Sequence, residues 1–163
     1  MSWTGFTIDG RFYDLTHLQT STFEVSIDGK SVKLYVSYSS HCFTDEKGHG
    51  PQIIKRERRH WSHERYERSK DLPAIMQHKL LEHYAIPYQS RGGESYHVLE
   101  VHDYAIFFSV TKPSDSDNEL KIKVNSAYEL DTWGKSSLPK GKPKRVSWIL
   151  SQRLQGKSVL KRS

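Results

Sequence analysis

Hydrophobic and polar residues alternate in the first third of the chain, which predicts β-strands there. Hydrophobic residues take every second position over residues 23–27 and again over residues 32–38. Between these runs stands Asp28-Gly29, a pair that readily takes the left-handed backbone conformation of a tight hairpin turn. The pattern therefore predicts a β-hairpin. An earlier pair, Asp9-Gly10, indicates another turn between two short segments with aromatic residues.

The same alternation returns in the second half of the chain. Residues 95–101, 104–111 and 120–128 are rich in β-branched and aromatic residues, and the first two runs are separated only by His102-Asp103. Strands joined by such short connections are usually antiparallel neighbours. These runs therefore predict an antiparallel meander, and residues 158–160 are a candidate for a short additional edge strand.

Three segments have features of helices. Residues 55–70 are strongly charged and have no apolar stripe, so they predict a polar helix that does not contribute to the core. Asp71-Leu72-Pro73 is typical of a helix start, because proline fits the first turn. Residues 146–154 carry apolar side chains at helical spacing, and Gly156 suits the position just beyond the end of that helix.

Together these elements predict an α+β fold: an N-terminal β-hairpin module, central helices, an antiparallel meander of three or four strands and a C-terminal helix. A chain of 163 residues fits one domain, with or without a small N-terminal subdomain. We therefore predict a hairpin module over residues 1–50 and an α+β region that acts on nucleic acid over residues 51–163. One continuous domain over residues 1–163 is the alternative.

Composition and charge narrow the class of protein. The formal net charge of +6 favours polyanionic partners such as RNA or other nucleic acid. No apolar run approaches the roughly 18–20 residues that span a bilayer, so we expect no membrane partner. The first residues lack the features of a secretory signal, and a single cysteine, Cys42, fits a reducing compartment. We expect a cytoplasmic protein in which Cys42 is buried and inert.

The most polar stretch, residues 55–73, contains seven Lys or Arg, four acids and two histidines. Metal-independent cleavage of RNA needs a base for the 2′-hydroxyl, an acid for the leaving oxygen and cations on the phosphate, and these residue types supply all three. In this hypothesis Arg65 and Lys70 hold the phosphate, while His60 or His63 moves protons. The complete candidate catalytic set is His60, His63, Arg65, Ser69, Lys70 and Tyr128. Strict alternation would point Tyr128 toward the core unless its strand ends or bulges there.

A basic binding surface is predicted beside these groups. Aromatic residues interleaved with Arg and Lys suit single-stranded RNA, because bases stack on the rings and cations hold the phosphates. The polar face of the third meander strand and the basic loop after it extend this surface. The candidate nucleic-acid-binding residues are Arg58, Arg59, Trp61, Lys121, Lys123, Asn125, Trp133, Lys140, Lys142 and Lys144.

The histidines do not predict a metal site. His60 and His63 are separated by three positions rather than the four that suit two ligands on a helix, and one cysteine cannot form a ligand pair. We therefore predict no metal ligands and no cofactor.

Three pieces of sequence carry a resemblance: YDLTHL with SSHCFT near the N-terminus, RYERSKDLP in the middle and VNSAY at the end of the third meander strand. Together they resemble a group of uncharacterised bacterial, plasmid-borne and phage-borne proteins. From residue 72 to residue 163, the order of helix, meander and basic tail is similar to the RelE/barnase/EndoU-type ribonuclease fold. That resemblance implies a ribonuclease of toxin type, to which the N-terminal hairpin would be an addition.

The leading hypothesis is a small basic RNA-acting protein, a metal-independent endoribonuclease of toxin or defence type. The alternative is a non-catalytic accessory factor of a phage or plasmid that binds nucleic acid or protein. An inhibitor or immunity role belongs to this alternative. For either hypothesis, an antitoxin or a host target is the candidate protein partner. Loss of turnover with retained binding in a single variant would distinguish the enzyme from the binder.

Overall fold

The fold is mixed α+β and consists mostly of strands. The computed structural model describes residues 3–89, 95–130 and 138–160. Its strands are β1 (Gly5–Ile8), β2 (Arg11–Asp14), β3 (Ser21–Ile27), β4 (Lys30–Tyr38), β5 (Thr44–Asp45), β6 (Gln52–Ile54), β7 (Arg59–Trp61), β8 (Tyr84–Gln89), β9 (Ser95–Val101), β10 (Tyr104–Thr111), β11 (Glu119–Glu129) and β12 (Lys144–Arg145). Its α-helices are α1 (His63–Ser69), α2 (Leu72–Ala74) and α3 (Val146–Leu154). A π-turn (Ile75–Lys79) and a 3-10 turn (Leu80–Glu82) continue α2.

A seven-stranded sheet, curled into a half-barrel, forms the centre of the fold. Its strand order is β12-β8-β9-β10-β11-β4-β3. The predicted meander is confirmed and has four antiparallel strands, β8 to β11. The predicted hairpin is also confirmed as β3 and β4, with Asp28 and Gly29 at φ of 52° and 78° in its turn. The earlier Asp-Gly pair joins β1 to β2 in a separate two-stranded sheet.

The hairpin and the meander belong to one sheet. Strand β4 pairs with β11 in parallel, so that Leu34 lies opposite Leu120 and Val36 lies opposite Ile122. These four side chains are fully buried or nearly so. They belong to a single core cluster that also contains residues of the helices. The N-terminal hairpin is therefore held to the rest of the fold by both backbone pairing and side-chain packing.

The helices pack on one face of the sheet. The central helical segment, residues 63–82, contributes Leu72, Met76 and Leu80 to the main core, and α3 contributes Ile149 and Leu150. Because side chains alternate along a strand, the other face of the sheet has its own smaller apolar cluster. We call this side the cleft face. Its cluster consists of Ile86, Tyr88, Val98, Ala105, Phe107, Tyr128, Leu130 and Leu138.

The prediction of one polar, non-core helix over residues 55–70 is wrong. The segment folds as a 3-10 turn (Lys55–Glu57), strand β7 and helix α1, with Arg58 at a φ of 54° between the turn and the strand. Trp61 and Tyr66 therefore extend from different elements, and both reach the main core.

Two further differences concern strands. Strand β8 was not predicted from the sequence; within it Pro87 lies opposite His97. Residues 158–160 are described and do not form the edge strand that was suggested for them. Gly156 does follow α3 with a φ of 77°, as predicted. None of the helices within the described residues is long and apolar enough to cross a membrane.

Candidate functional site

An open cleft of about 800 Å³ lies on the cleft face of the sheet. Its floor combines half-buried aromatic side chains with polar groups from β11. The walls come from the loop after β4, from the turn before β7 and from Trp3. The residues that line it are Trp3, Ser37, Tyr38, Ser39, Ser40, His41, Ile54, Glu57, Tyr88, Tyr96, Phe107, Lys123, Asn125 and Ser126.

A β-bulge shapes the floor of this cleft. Phe107 lies opposite Ser126 and Phe108 lies opposite Val124, which leaves Asn125 as an extra residue in β11. An extra residue reverses the side-chain alternation beyond it. Ala127 therefore points into the core, and Tyr128 turns to the cleft face, where its ring stacks on Phe107 at a centroid distance of 5.6 Å.

The aromatic rings of the floor contact one another. Tyr88 lies 5.9 Å from Tyr96 and 6.3 Å from Phe107, measured between ring centroids. Burial raises the pKa of Tyr88 to about 12, and burial also raises the pKa of Tyr128. Both hydroxyls are therefore neutral near pH 7 and can donate hydrogen bonds. The floor offers several π-faces and uncharged donors side by side.

The polar groups of the floor include an amide without a partner. The backbone carbonyl of Asn125 accepts a 2.6 Å hydrogen bond from the Ser39 hydroxyl. The Asn125 side-chain nitrogen Nδ2 is buried, and no hydrogen-bond partner for it exists among the described residues. Lys123 is exposed two positions earlier on the same strand. A buried donor without a partner costs free energy, which a ligand that accepts a hydrogen bond there would recover.

His41 stands on the wall of the cleft in a 3-10 turn, Ser40–Cys42. Its backbone is fixed from two sides: Ser39 Oγ accepts from the amide of His41 at 3.2 Å, and Arg65 Nη1 donates to the carbonyl of His41 at 3.1 Å. Its Nε2 lies 3.7 Å from a carboxylate oxygen of Glu57, which also accepts from the Ser40 hydroxyl. Burial, and then the charge of Arg59, lowers the pKa of His41.

A basic loop borders the cleft face. Leu138 packs with the apolar cluster of that face. A Cβ placed on Gly141 would lie 3.0 Å from Ile86 Cγ2, so the loop passes directly over β8. Lys140 and Lys142 on either side of Gly141 are exposed. The loop thus adds cations next to the aromatic floor.

The six candidate catalytic residues are engaged in different places. Arg65 donates to the carbonyls of His41 and Thr44, and its guanidinium lies 4.9 Å from the ring centroid of Tyr128, so these two candidates do meet. Ser69 is fully buried; it donates to the carbonyl of Tyr66 and is also bonded to His17.

None of the six candidates is among the residues that line the cleft, and the remaining three lie in other places. His60 bonds to the carbonyl of Gly50 within the three-stranded sheet β5-β7-β6. His63 opens α1 and Lys70 directly follows its end; both are exposed and paired with Glu67. The structure thus does not assemble all six side chains around one position, and their catalytic role stays a prediction.

The candidate nucleic-acid-binding residues that the structure describes separate into three groups: those of β11, those of the segment before α3 and those at or beside β7. Lys123 and Asn125 line the cleft, and Lys121 is exposed beside Tyr35 on the same face. Lys144 contacts the ring of Trp148 at 5.4 Å. Trp133 lies outside the described residues.

The third group lies at and beside β7, and the structure buries two of its members. Arg59 is 6% exposed and donates to the carbonyl of Thr44, while Trp61 is 4% exposed. Both side chains are largely enclosed by the packing around β7, and their role in binding nucleic acid stays a prediction. Arg58, between them and the preceding turn, is exposed.

Sequence reasoning missed the groups that surround the polar face of β11. His41 and Glu57 come from turns, and Tyr88 comes from a strand that was not predicted. The sequence signal at His41 is its position next to Cys42, but Cys42 is buried, as expected, and burial raises the pKa of its thiol to about 12. Within the described residues, no group of three or more His, Cys, Asp or Glu side chains could hold a metal ion.

Comparison with known proteins identifies a family. Neither the curated proteins nor the solved structures include a significant match to the chain. The model of the YjaZ family matches residues 5–154, which include every element from β1 to α3. The chain therefore belongs to the YjaZ family.

Proposed function

We propose that the protein binds single-stranded RNA on the cleft face of its sheet. The observation that carries this proposal is the combination of Tyr88, Tyr96 and Phe107 with Lys123 and Asn125 in one open cleft. Proteins that bind single strands stack the bases on aromatic rings and hold the phosphates with cations. The net charge of +6 supports the same class of ligand.

RNA is favoured over DNA because hydroxyl and amide groups line the same cleft. Ser37, Ser40 and Ser126 stand beside the unpartnered amide of Asn125. The 2′-hydroxyl both donates and accepts, and it is the group by which a protein can distinguish the two nucleic acids. Base-paired RNA does not offer its bases to such a floor, so we expect preference for a single strand.

The first test is binding of a pool of labelled 12-nucleotide RNAs of random sequence, followed by fluorescence anisotropy. The same pool as DNA, and one 12-mer with its complement, serve as comparison ligands. Phe107→Ala removes a stacking surface and should weaken binding about 5- to 150-fold, the effect of losing about 1–3 kcal/mol. Lys123→Ala should weaken binding and reduce the slope of log affinity against log salt by about 0.7.

Matched controls separate these effects from general changes. Phe12→Ala removes an exposed phenylalanine from β2, and Lys157→Ala removes an exposed lysine beyond α3. Both controls should bind RNA as the wild type does. Equal binding by Phe107→Ala and wild type, or an absence of RNA binding at 50–150 mM salt, would overturn the proposal.

A further inference from the structure

His41 is the only imidazole among the described residues that line the cleft, and it stands across from the polar floor. We infer that the cleft cleaves the RNA that it binds, with His41 as the general base that activates a 2′-hydroxyl. This inference rests on the proposed function and assigns a reaction and a base to the same site.

The position of His41 is set by the fold rather than by its own side chain alone. Ser39 links its turn to the bulge residue Asn125, and Arg65 fastens its carbonyl to α1. The ring itself is 39% exposed, so it is held in place yet open to a ligand. A base whose backbone is tied to the floor keeps its distance to a bound strand, which is what proton transfer requires.

The charges around His41 favour its neutral form near pH 7. Burial lowers its pKa first; Arg59 and Arg65 lower it further, while Glu57 and Glu46 raise it. A neutral imidazole can accept a proton. The carboxylate of Glu57 lies 3.7 Å from Nε2 and favours the tautomer that carries its proton there, which leaves the lone pair on Nδ1.

The reaction would be a transesterification. His41 takes the proton of the 2′-hydroxyl, and O2′ forms a bond to the adjacent phosphorus. The bond from phosphorus to the 5′-oxygen breaks, and that oxygen takes a proton from water in the open cleft. The hydroxide that remains takes the proton from His41 and restores the neutral imidazole. The products are a 2′,3′-cyclic phosphate and a 5′-hydroxyl. Lys123 and the free amide hydrogen of Asn125 Nδ2 stabilise the charge that develops on the phosphate oxygens.

The test incubates excess full-length protein with the labelled RNA pool in EDTA and follows cleavage on a denaturing gel. We expect fragments that end in a 2′,3′-cyclic phosphate, and no cleavage of the same pool with 2′-O-methyl groups. His41→Ala should slow cleavage about 10²- to 10⁴-fold while its RNA affinity stays within a few-fold of wild type. His78→Ala, an exposed histidine on the helical side, should cleave as wild type does.

A pH profile tests Glu57 as a positioning residue. The cleavage rate should rise with pH as His41 loses its proton, with the midpoint below the ordinary pKa of a histidine. Glu57→Gln removes a charge that raises the pKa of His41, so the rise should move to lower pH. Bound RNA that stays intact for hours in EDTA, or equal cleavage by His41→Ala and wild type, would overturn the inference and leave the proposed binding intact. Loss of binding itself would overturn both.

Discussion

Substitution of Trp61 tests whether this residue of the polar stretch 55–73 packs in the core or stacks on RNA bases. Its ring lies 5.0 Å from Tyr66, 5.1 Å from Tyr13 and 6.1 Å from Phe43, measured between centroids, and the residue is 4% exposed. Truncating such a buried aromatic side chain costs about 3–5 kcal/mol, because transfer energy is lost and a cavity remains. We therefore expect Trp61→Ala to destabilise the fold by about that amount.

For a domain of this size each kcal/mol corresponds to about 2–4 °C, so the midpoint of thermal unfolding should fall by roughly 6–20 °C. Far-UV circular dichroism measures this without relying on the removed fluorophore. Trp148→Ala is the matched control, since Trp148 is 41% exposed and its loss should cost less than about 1 kcal/mol. A base-stacking role for Trp61 predicts the opposite result: an unchanged midpoint and RNA affinity weakened by about 1–3 kcal/mol. That result would refute the buried position.

Three further predictions concern the interior. Arg65→Met removes two hydrogen bonds to carbonyls and the contact with Tyr128. It should lower the free energy of unfolding, measured in urea, by about 2–4 kcal/mol. An unchanged midpoint would contradict the role of Arg65 in holding these backbone segments together. Cys42 should not react with a thiol reagent in the native protein and should react fully in 6 M guanidinium, because burial raises its pKa to about 12; rapid native reaction would contradict this. His97 is buried with its pKa lowered to about 4, so the unfolded chain binds the extra proton, and stability should fall by up to about 3 kcal/mol as the pH drops from 6.5 to about 4. His97→Gln should remove that part of the pH dependence of stability, which urea unfolding at pH 7 and pH 4.5 would measure. If the variant lost as much stability as the wild type between these two pH values, His97 would not be the source.

The strands that sequence reasoning found are those specified by local signals. The turns at Asp28-Gly29 and His102-Asp103 adopt left-handed backbone conformations that Asp, Asn, His and Gly tolerate best. The runs on either side alternate with period two, so both the turn and the facing of the side chains follow from neighbouring residues. The hairpin and the meander were predictable for this reason.

Contacts between distant residues were not predictable in the same way. The parallel pairing of Leu34 with Leu120 joins residues far apart in sequence, and the sequence of neither strand indicates which strand it will pair with. Strands β5, β6 and β7 have only two or three residues each, too few to show a period. The burial of Arg59 and Trp61 follows from that small sheet, so the packing of both side chains could not be predicted without it.

Tyr128 shows how one non-local feature decides the composition of the site. Alternation from Leu120 to Val124 correctly put Lys123 on the polar face, and extending it would have sent Tyr128 toward the core. In a bulge, one strand has an extra residue between two positions that are consecutive on its partner. This bulge is therefore defined only by the pairing of Phe107 and Phe108 with residues of β11. If Asn125 were deleted, the register would become regular, Ala127 would turn outward and Tyr128 inward. The cleft face would then lose the ring of Tyr128. The cleft itself would lose an amide donor and the carbonyl that anchors Ser39, and with that carbonyl the link that holds His41 to the floor.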